Sequence, residues 1–159
     1  MIKSRSKLLL AIMASACVSL LPGNAQEKSQ HMSKSQLKTQ LSKTIVKVRT
    51  GSTSTIRDEA AKHLAELTRG IDPNEVDDET VTDLVSLLDQ PVGRYWVARS
   101  LGNLGTRAKI AIPKLQRLLP EEDCLQVSKS AAEGIRFALT QMGVTPPPPP
   151  NCEAKKEQE

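Results

Sequence analysis

Aromatic and histidine side chains are scarce in this chain of 159 residues, which holds one Trp, one Tyr, one Phe and two His. His31 has no ligand partner nearby, and His63 has only Glu59 one helical turn before it, so a third metal ligand is lacking. The sequence also lacks a glycine-rich phosphate loop, a Cys-x-x-Cys pair and a nucleophile beside a base. We therefore expect no enzyme, no cofactor and no metal site.

The first 25 residues contain no acidic side chain and have the pattern of a cleavable signal peptide. Three positive charges precede an apolar stretch at 8–21, about 14 residues long, which is shorter than the roughly 20 residues that a membrane-spanning helix needs. Small residues at positions −3 and −1 predict cleavage after Ala25. In an alternative interpretation, Cys17 becomes a lipid-modified N-terminus, because small residues precede it. We expect a periplasmic or secreted protein, with no integral membrane segment after cleavage.

The mature chain carries almost no net charge. Removal of the three positive charges of the signal, Lys3, Arg5 and Lys7, takes the formal net charge from +4 to +1. The basic isoelectric point therefore reflects mostly the discarded segment. Nucleic acid is not expected as a partner, because a basic surface that would attract phosphates is not indicated.

Two cysteines remain after cleavage, Cys124 and Cys152, and an even number of cysteines in an exported chain favours a disulfide. Five consecutive prolines at 146–150 predict a polyproline II segment, which extends about 3.1 Å per residue. The ten residues before Cys152 would then reach about 31 Å, just enough to double back along a helix of about 27 Å expected at 124–142. Two unpaired thiols or an intermolecular bond are the alternatives.

One helical pattern occurs three times. Ile-Arg-x-x-Ala-Ala-x-x-Leu-x-x-Leu at 56–67 returns in related form 37 residues later, at 93–104, as Gly-Arg-x-x-Val-Ala-x-x-Leu-x-x-Leu. It returns again after 34 more residues, at 127–138, as Val-Ser-x-x-Ala-Ala-x-x-Ile-x-x-Ala. A second pattern, Val-x-x-Leu-x-x-Leu-Leu at 81–88, recurs 31 residues later at 112–119. Paired small residues in the first pattern predict close helix packing. Two types of helix therefore alternate, and the first repeat has the longer internal connection.

These repeats resemble the HEAT repeat family. Its first helix carries Arg-x-x-Ala-Ala-x-x-Leu and ends in Leu-Gly-x-Leu-Gly, which stands here at 101–105; its second helix resembles 108–119, with Pro113 near the start. The resemblance covers about 55–143. It departs from the family pattern in two ways: the third unit lacks its second helix, and Gly93 and Ser128 replace the usual apolar residue and Arg. It implies an all-α, short helical-repeat solenoid of about six helices.

A further amphipathic helix at 34–49 precedes the repeats, because Leu37, Leu41, Ile45 and Val48 stand at helical spacing. The expected organisation is a signal peptide at 1–25, a mobile leader at 26–33, a helical-repeat domain at 34–143 and a Pro-rich, charged tail at 144–159.

Charge is unevenly distributed along the repeats. Segment 72–89 holds seven carboxylates and no cation, whereas segment 90–120 holds six cations and no acid, Lys114 and Arg117 among them. Asp83 and Lys114 occupy equivalent positions in adjacent second helices, which predicts an ion pair between repeats. In HEAT solenoids the second helices line the concave face, so the resemblance also allows a groove that is acidic at one end and basic at the other.

The aromatic residues occupy positions that are polar elsewhere in the repeats. Tyr95 and Trp96 align with Asp58 and Glu59 of the first repeat and with Lys129 and Ser130 of the third. With Arg94 and Arg99 beside them, they have the composition of a binding hot spot. Alternatively, the two rings form local core over the connection at 70–79. Phe137 is expected to pack against the returning tail.

We therefore predict an exported, non-enzymatic scaffold or adaptor that binds a protein, with the candidate contacts Trp96, Tyr95, Arg94, Arg99, Lys114 and Arg117. One alternative is a periplasmic inhibitor or immunity protein directed at one toxin. Another is a chromophore-handling, lyase-like protein, since some HEAT-like families are bilin lyases; it predicts a ligand-sized pocket. The open end after the third repeat also allows a homodimer.

Overall fold

A computed structural model describes residues 32–125, 130–150 and 152. The signal peptide, cleavage after Ala25, the alternative anchor at Cys17 and leader residues 26–31 lie outside these residues. In the described part, six α-helices and no strand are present, which confirms an all-helical protein. They are α1 (Lys34–Thr50), α2 (Ser54–Leu67), α3 (Asp78–Leu87), α4 (Arg94–Asn103), α5 (Ile112–Asp123) and α6 (Ala131–Gln141). Short 3-10 helices at Pro73–Glu75 and Gly105–Ala111 connect α2 to α3 and α4 to α5.

Local side-chain caps explain where the first three helices begin. The Ser33 hydroxyl accepts a hydrogen bond from the backbone N–H of Gln36, whose side chain accepts one from the Ser33 N–H. Thr53 caps α2 by accepting from the Ile56 N–H, and Asp77 caps α3. Such caps satisfy backbone donors that a helix leaves free in its first turn.

The helices pack as neighbours in two sets. The three copies of the first pattern lie side by side, with α4 between α2 and α6, while α1, α3 and α5 pack against α2, α4 and α6 respectively. Large residues at one repeated position, Leu64, Leu101 and Ile135, are each 0 % exposed. The paired small residues are buried as well: Ala60, Ala61, Val97, Ala98, Ala131 and Ala132. This burial confirms the repeat alignment.

Two glycines allow α4 and α6 to approach closely. A Cβ atom on Gly134 would stand 2.6 Å from the carbonyl oxygen of Tyr95, and one on Gly102 would stand 2.6 Å from the Phe137 ring. Real Cβ atoms do not come so near to other heavy atoms, so any larger residue would force the helices apart.

Hydrogen bonds also join the ends of adjacent repeats. The Asn103 amide, at the end of α4, donates to the Ala65 carbonyl at 2.9 Å and to the buried Thr68 hydroxyl at 3.2 Å. Arg107 donates twice to the Val76 carbonyl, at 3.2 Å each, and pairs with Asp78 at 2.7 Å. The segment that connects α4 to α5 is thereby bonded to the longer segment that connects α2 to α3.

The tail turns back after α6. Gly143 has a φ of 83°, and the Val144 N–H donates to the Leu139 carbonyl at 2.9 Å, which is the αL ending typical of a Schellman motif. The Arg136 guanidinium then donates to the Pro147 carbonyl at 2.6 Å and pairs with Asp123 at 2.6 Å. Residues 144–150 therefore lie close to the C-terminal end of α5.

The tail brings Cys152 to Cys124, with 5.3 Å between their Cα atoms, a separation that a disulfide spans. The helix expected at 124–142 is wrong at its start. Helix α5 ends at Asp123 with Cys124 as its C-cap, and α6 begins only at Ala131. The tail consequently has a shorter helix to follow than its sequence suggested.

Candidate functional site

A groove of about 730 Å³ opens where the N-terminal ends of α2, α4 and α6 meet the C-terminal end of α5. On one side, α2 contributes Asp58, Glu59 and Lys62, which are all exposed. Trp96 and Leu125 belong to the rest of the lining. The groove therefore combines charged and apolar surfaces.

Tyr95 and Trp96 form an aromatic pair in this lining. Their ring centroids are 4.8 Å apart and their planes stand at 80°, a favourable edge-to-face geometry. Both side chains are half-buried against the core, and Tyr95 also touches α6 at Gly134. The pair shares the groove with α2, whereas the connection at 70–79 supplies no lining residue in the described chain.

Arg94 and Glu122 form an ion pair in the lining of the groove. Their side chains are only 12 % and 6 % exposed, and the Arg94 Nε also donates to the Leu88 carbonyl at 2.9 Å. A buried charge is costly unless it is paired and hydrogen-bonded, and both conditions are met here. Arg94 thus joins α4 to α5 and leaves little of its guanidinium for a partner.

Arg99 stacks on aromatic rings of its own chain. Its guanidinium carbon lies 4.4 Å from the centroid of the Phe137 ring and 5.8 Å from that of Tyr95. Both distances suit a cation–π interaction. Phe137 contacts α4 through Arg99 and Gly102, while the residue of α6 that bonds to the tail is Arg136.

Lys114 and Arg117 lie elsewhere, on α5. The predicted pair of Lys114 with Asp83 is wrong, because Lys114 bonds to Asp89 at 2.6 Å and Asp83 to Arg49 at 3.1 Å. Lys114 is in the first turn of α5, which lies beside the residues that follow α3 rather than beside its middle. The Lys114 ammonium, and more weakly the Arg117 guanidinium, lower the pKa of Asp89.

Five of the seven carboxylates in segment 72–89 form ion pairs with neighbouring elements. The cations belong to α1 on one side and to residues that follow α4 on the other. The pairs are Asp77 and Glu79 with Lys38, Asp83 with Arg49, Asp78 with Arg107 and Asp89 with Lys114. Hydrogen bonds from Lys38 and from Thr80 hold the pKa of Asp77 well below its usual range. This pattern favours ion pairs between repeats over a groove of two opposite charges.

Within 32–125, 130–150 and 152, no cluster of His, Cys, Asp and Glu has the size to hold a metal ion. His63 lies 3.7 Å from Glu66 rather than next to Glu59. None of the helices in these ranges has the length and apolar character to cross a membrane.

The six candidate residues do not form one surface. Tyr95, Trp96 and the half-buried Arg94 line the groove, Arg99 lies on Phe137, and Lys114 and Arg117 lie near Asp89. Sequence reasoning missed Asp58 and Glu59 as members of the site, although the repeat alignment contained the signal. Asp58 and Glu59 are the counterparts of Tyr95 and Trp96, and equivalent positions on adjacent first helices line the same groove.

Comparison with known protein families gives a match in the middle repeat. A family model described as PBS lyase HEAT-like repeat matches residues 93–119. Neither curated proteins nor solved structures give a match to the chain. The matched residues contain α4, the 3-10 helix Gly105–Ala111 and the first two turns of α5. Segment 93–119 is therefore a HEAT-like repeat, as its sequence predicted.

Proposed function

We propose that this is an exported helical-repeat protein that binds another protein through the groove beside Trp96 and catalyses no reaction. The observation that carries the proposal is the position of the chain's single Trp, half-buried in the lining of an open groove and edge-to-face with its single Tyr. HEAT-like repeats commonly serve as binding surfaces, which supports the same function by analogy.

The physical basis is the large contact area that aromatic residues offer at low entropic cost. Trp and Tyr are enriched at binding hot spots, where a partner completes the removal of their rings from water. The core already fixes one side of each ring. Little side-chain freedom would therefore be lost on binding, which favours affinity.

The test begins with the partner's identity. A photo-crosslinking residue placed at position 96 of the exported protein is expected to give at least one discrete protein adduct in the native host, whereas the same residue at Thr82, exposed on α3, should give none. The adduct partner is then purified and titrated. Trp96→Ala should weaken its binding about thirtyfold, the effect of a hot spot of roughly 2 kcal/mol. Equal binding by the variant and the parent would reject the groove.

The identity and number of the partners also distinguish a scaffold or adaptor from an inhibitor of one toxin. A scaffold or adaptor predicts several partners of moderate affinity. A periplasmic inhibitor or immunity protein predicts one tightly bound toxin. The crosslinking experiment therefore decides between them.

Export rests on the pattern at 1–25, and an intact mass of the exported protein under non-reducing conditions tests it. We expect a chain that begins at Gln26 and has no thiol available for alkylation, with Cys124 bonded to Cys152. A lipid-modified chain that begins at Cys17 would place the protein on a membrane surface instead.

A second candidate function is chromophore binding, favoured by the description of the matched family and by the size of the groove. A volume of about 730 Å³ lies in the range of small-molecule sites. The described lining contains neither Cys nor His. Titration with biliverdin tests it: saturable quenching of Trp96 fluorescence together with a shifted bilin absorption band would favour chromophore binding over a protein partner.

A further inference from the structure

We infer that the groove accepts a basic protein segment, one that places a Lys or Arg side chain against Trp96 and the acids of α2 and an apolar side chain against Leu125. This inference rests on the proposed function and names the chemistry of the partner. It follows from the charges of the lining, from its aromatic surface and from the exposed Leu125.

The lining carries an excess of negative charge that the described chain does not neutralise. Arg94 and Glu122 cancel each other in their ion pair. Asp58, Glu59 and Lys62 remain, and none of the three forms a salt bridge with any described residue, although other carboxylates of the repeats are paired with cations of neighbouring elements. A positive group therefore gains attraction from α2, and an anionic group is repelled.

Trp96 adds a second attraction for a cation. Among side chains, the indole ring offers the strongest cation–π surface, and the interaction strengthens when a partner excludes water from the groove. The same chain already uses this contact internally, where the Arg99 guanidinium lies over Phe137. Carboxylates and an indole that line one groove suit an ammonium or guanidinium group better than a neutral side chain.

Leu125 provides the apolar subsite. It directly follows the C-cap of α5 and is 52 % exposed, one of few large apolar residues that the described core leaves in water. Ala131, at the start of α6, lines the groove with it. An apolar partner side chain would cover this surface, and the distance between the two subsites would set the spacing of the recognised residues.

The test uses a random 12-residue peptide library displayed on phage, selected on the full mature protein after depletion on Trp96→Ala. We expect enriched peptides to contain a Lys or Arg near an apolar residue. Synthetic versions should change the emission of Trp96, the only tryptophan. Their affinity should fall as salt concentration rises, because charge attraction contributes to binding.

Charge reversal gives the decisive comparison. The double variant Asp58→Lys, Glu59→Lys should bind the basic peptides at least tenfold more weakly, and selection on it should enrich acidic peptides instead. The matched control is Glu66→Lys, which reverses an exposed acid of the same helix outside the groove lining and should leave affinity unchanged. All three side chains extend into solvent, so the variants are expected to fold, which circular dichroism verifies.

The outcomes separate this inference from the proposed function. If the selected peptides need Trp96 but are acidic or neutral, or if charge reversal leaves their affinity unchanged, the groove binds protein and the inferred basic partner is wrong. If selection yields no peptide that depends on Trp96, and the crosslinking at position 96 gives no adduct, the proposed function fails as well.

Discussion

Breaking the Arg94–Glu122 ion pair should destabilise the protein more than any exposed ion pair does. Glu122→Gln leaves the Arg94 charge, with 12 % of its side chain exposed, without its salt-bridge partner. Loss of one partner of a buried pair typically costs about 3–5 kcal/mol. Arg94 keeps its hydrogen bond to the Leu88 carbonyl, and the amide introduced at position 122 would still offer a carbonyl acceptor. We therefore expect the lower end, about 3 kcal/mol.

Chemical denaturation followed by circular dichroism measures this cost as a change in the free energy of unfolding. For a domain of this size, about 3 kcal/mol also lowers the melting temperature by roughly 10–15 °C. The matched control is Asp89→Asn, which removes the exposed partner of Lys114 and should cost under about 1 kcal/mol. The double variant Arg94→Met, Glu122→Leu removes both charges and should recover part of the loss.

The reasoning is refuted if Glu122→Gln and Asp89→Asn cost the same, since burial would then make no difference. It is also refuted if the double variant is less stable than Glu122→Gln. In that case the loss would come from packing around Arg94 and not from an unpaired charge. Unchanged slopes of the denaturation curves are needed for the comparison, because a changed slope indicates a different unfolding transition.

Three further changes have defined outcomes. Gly134→Ala should cost about 1–3 kcal/mol in urea denaturation, because the new Cβ meets a backbone carbonyl of α4 at 2.6 Å; an unchanged midpoint would show that the helices separate freely. Cys152→Ser should lower the free energy of unfolding by up to about 3.6 kcal/mol, because a disulfide to Cys124, 28 residues away, closes a loop in the unfolded chain. A reducing agent should abolish the difference between variant and parent. Asp77 has a lowered pKa in the folded state, so its pairing with Lys38 stabilises above the unfolded pKa, near 4, and the stabilisation is lost as pH falls below it. The melting temperature of the parent should therefore fall more from pH 6 to pH 3 than that of Asp77→Asn, and equal falls would contradict this assignment.

The helices could be predicted from the sequence because each repeat has the same spacing of buried residues. Leu64, Leu101 and Ile135 share one repeated position, and all three are fully buried. The prediction of α1 followed from the spacing of its apolar residues, four of which are buried. Periodicity determines which face of a helix is covered, and that is sufficient to place core residues.

Ion pairs between helices were harder to predict, because they depend on the offset of one helix along the axis of the next. Lys114 was expected beside Asp83 and lies beside Asp89, six residues away along the chain. Similarly, the proximity of Arg94 suggested a positive contact next to Trp96, whereas Glu122 of α5 neutralises it. Alignment of repeats gives equivalent positions but not the offset between helices of different type.

The stacking of each helix on its near neighbours in sequence has a consequence for how the chain reaches its folded state. The hairpins α1–α2, α3–α4 and α5–α6 each join segments separated by short connections, so their contacts form with little loss of chain entropy. Such local topology is typical of rapid folding, and the hairpins can form in order from the N-terminus. The N-terminal hairpins can therefore assemble while the rest of the chain is still being delivered, before the tail with Cys152 arrives to join α5.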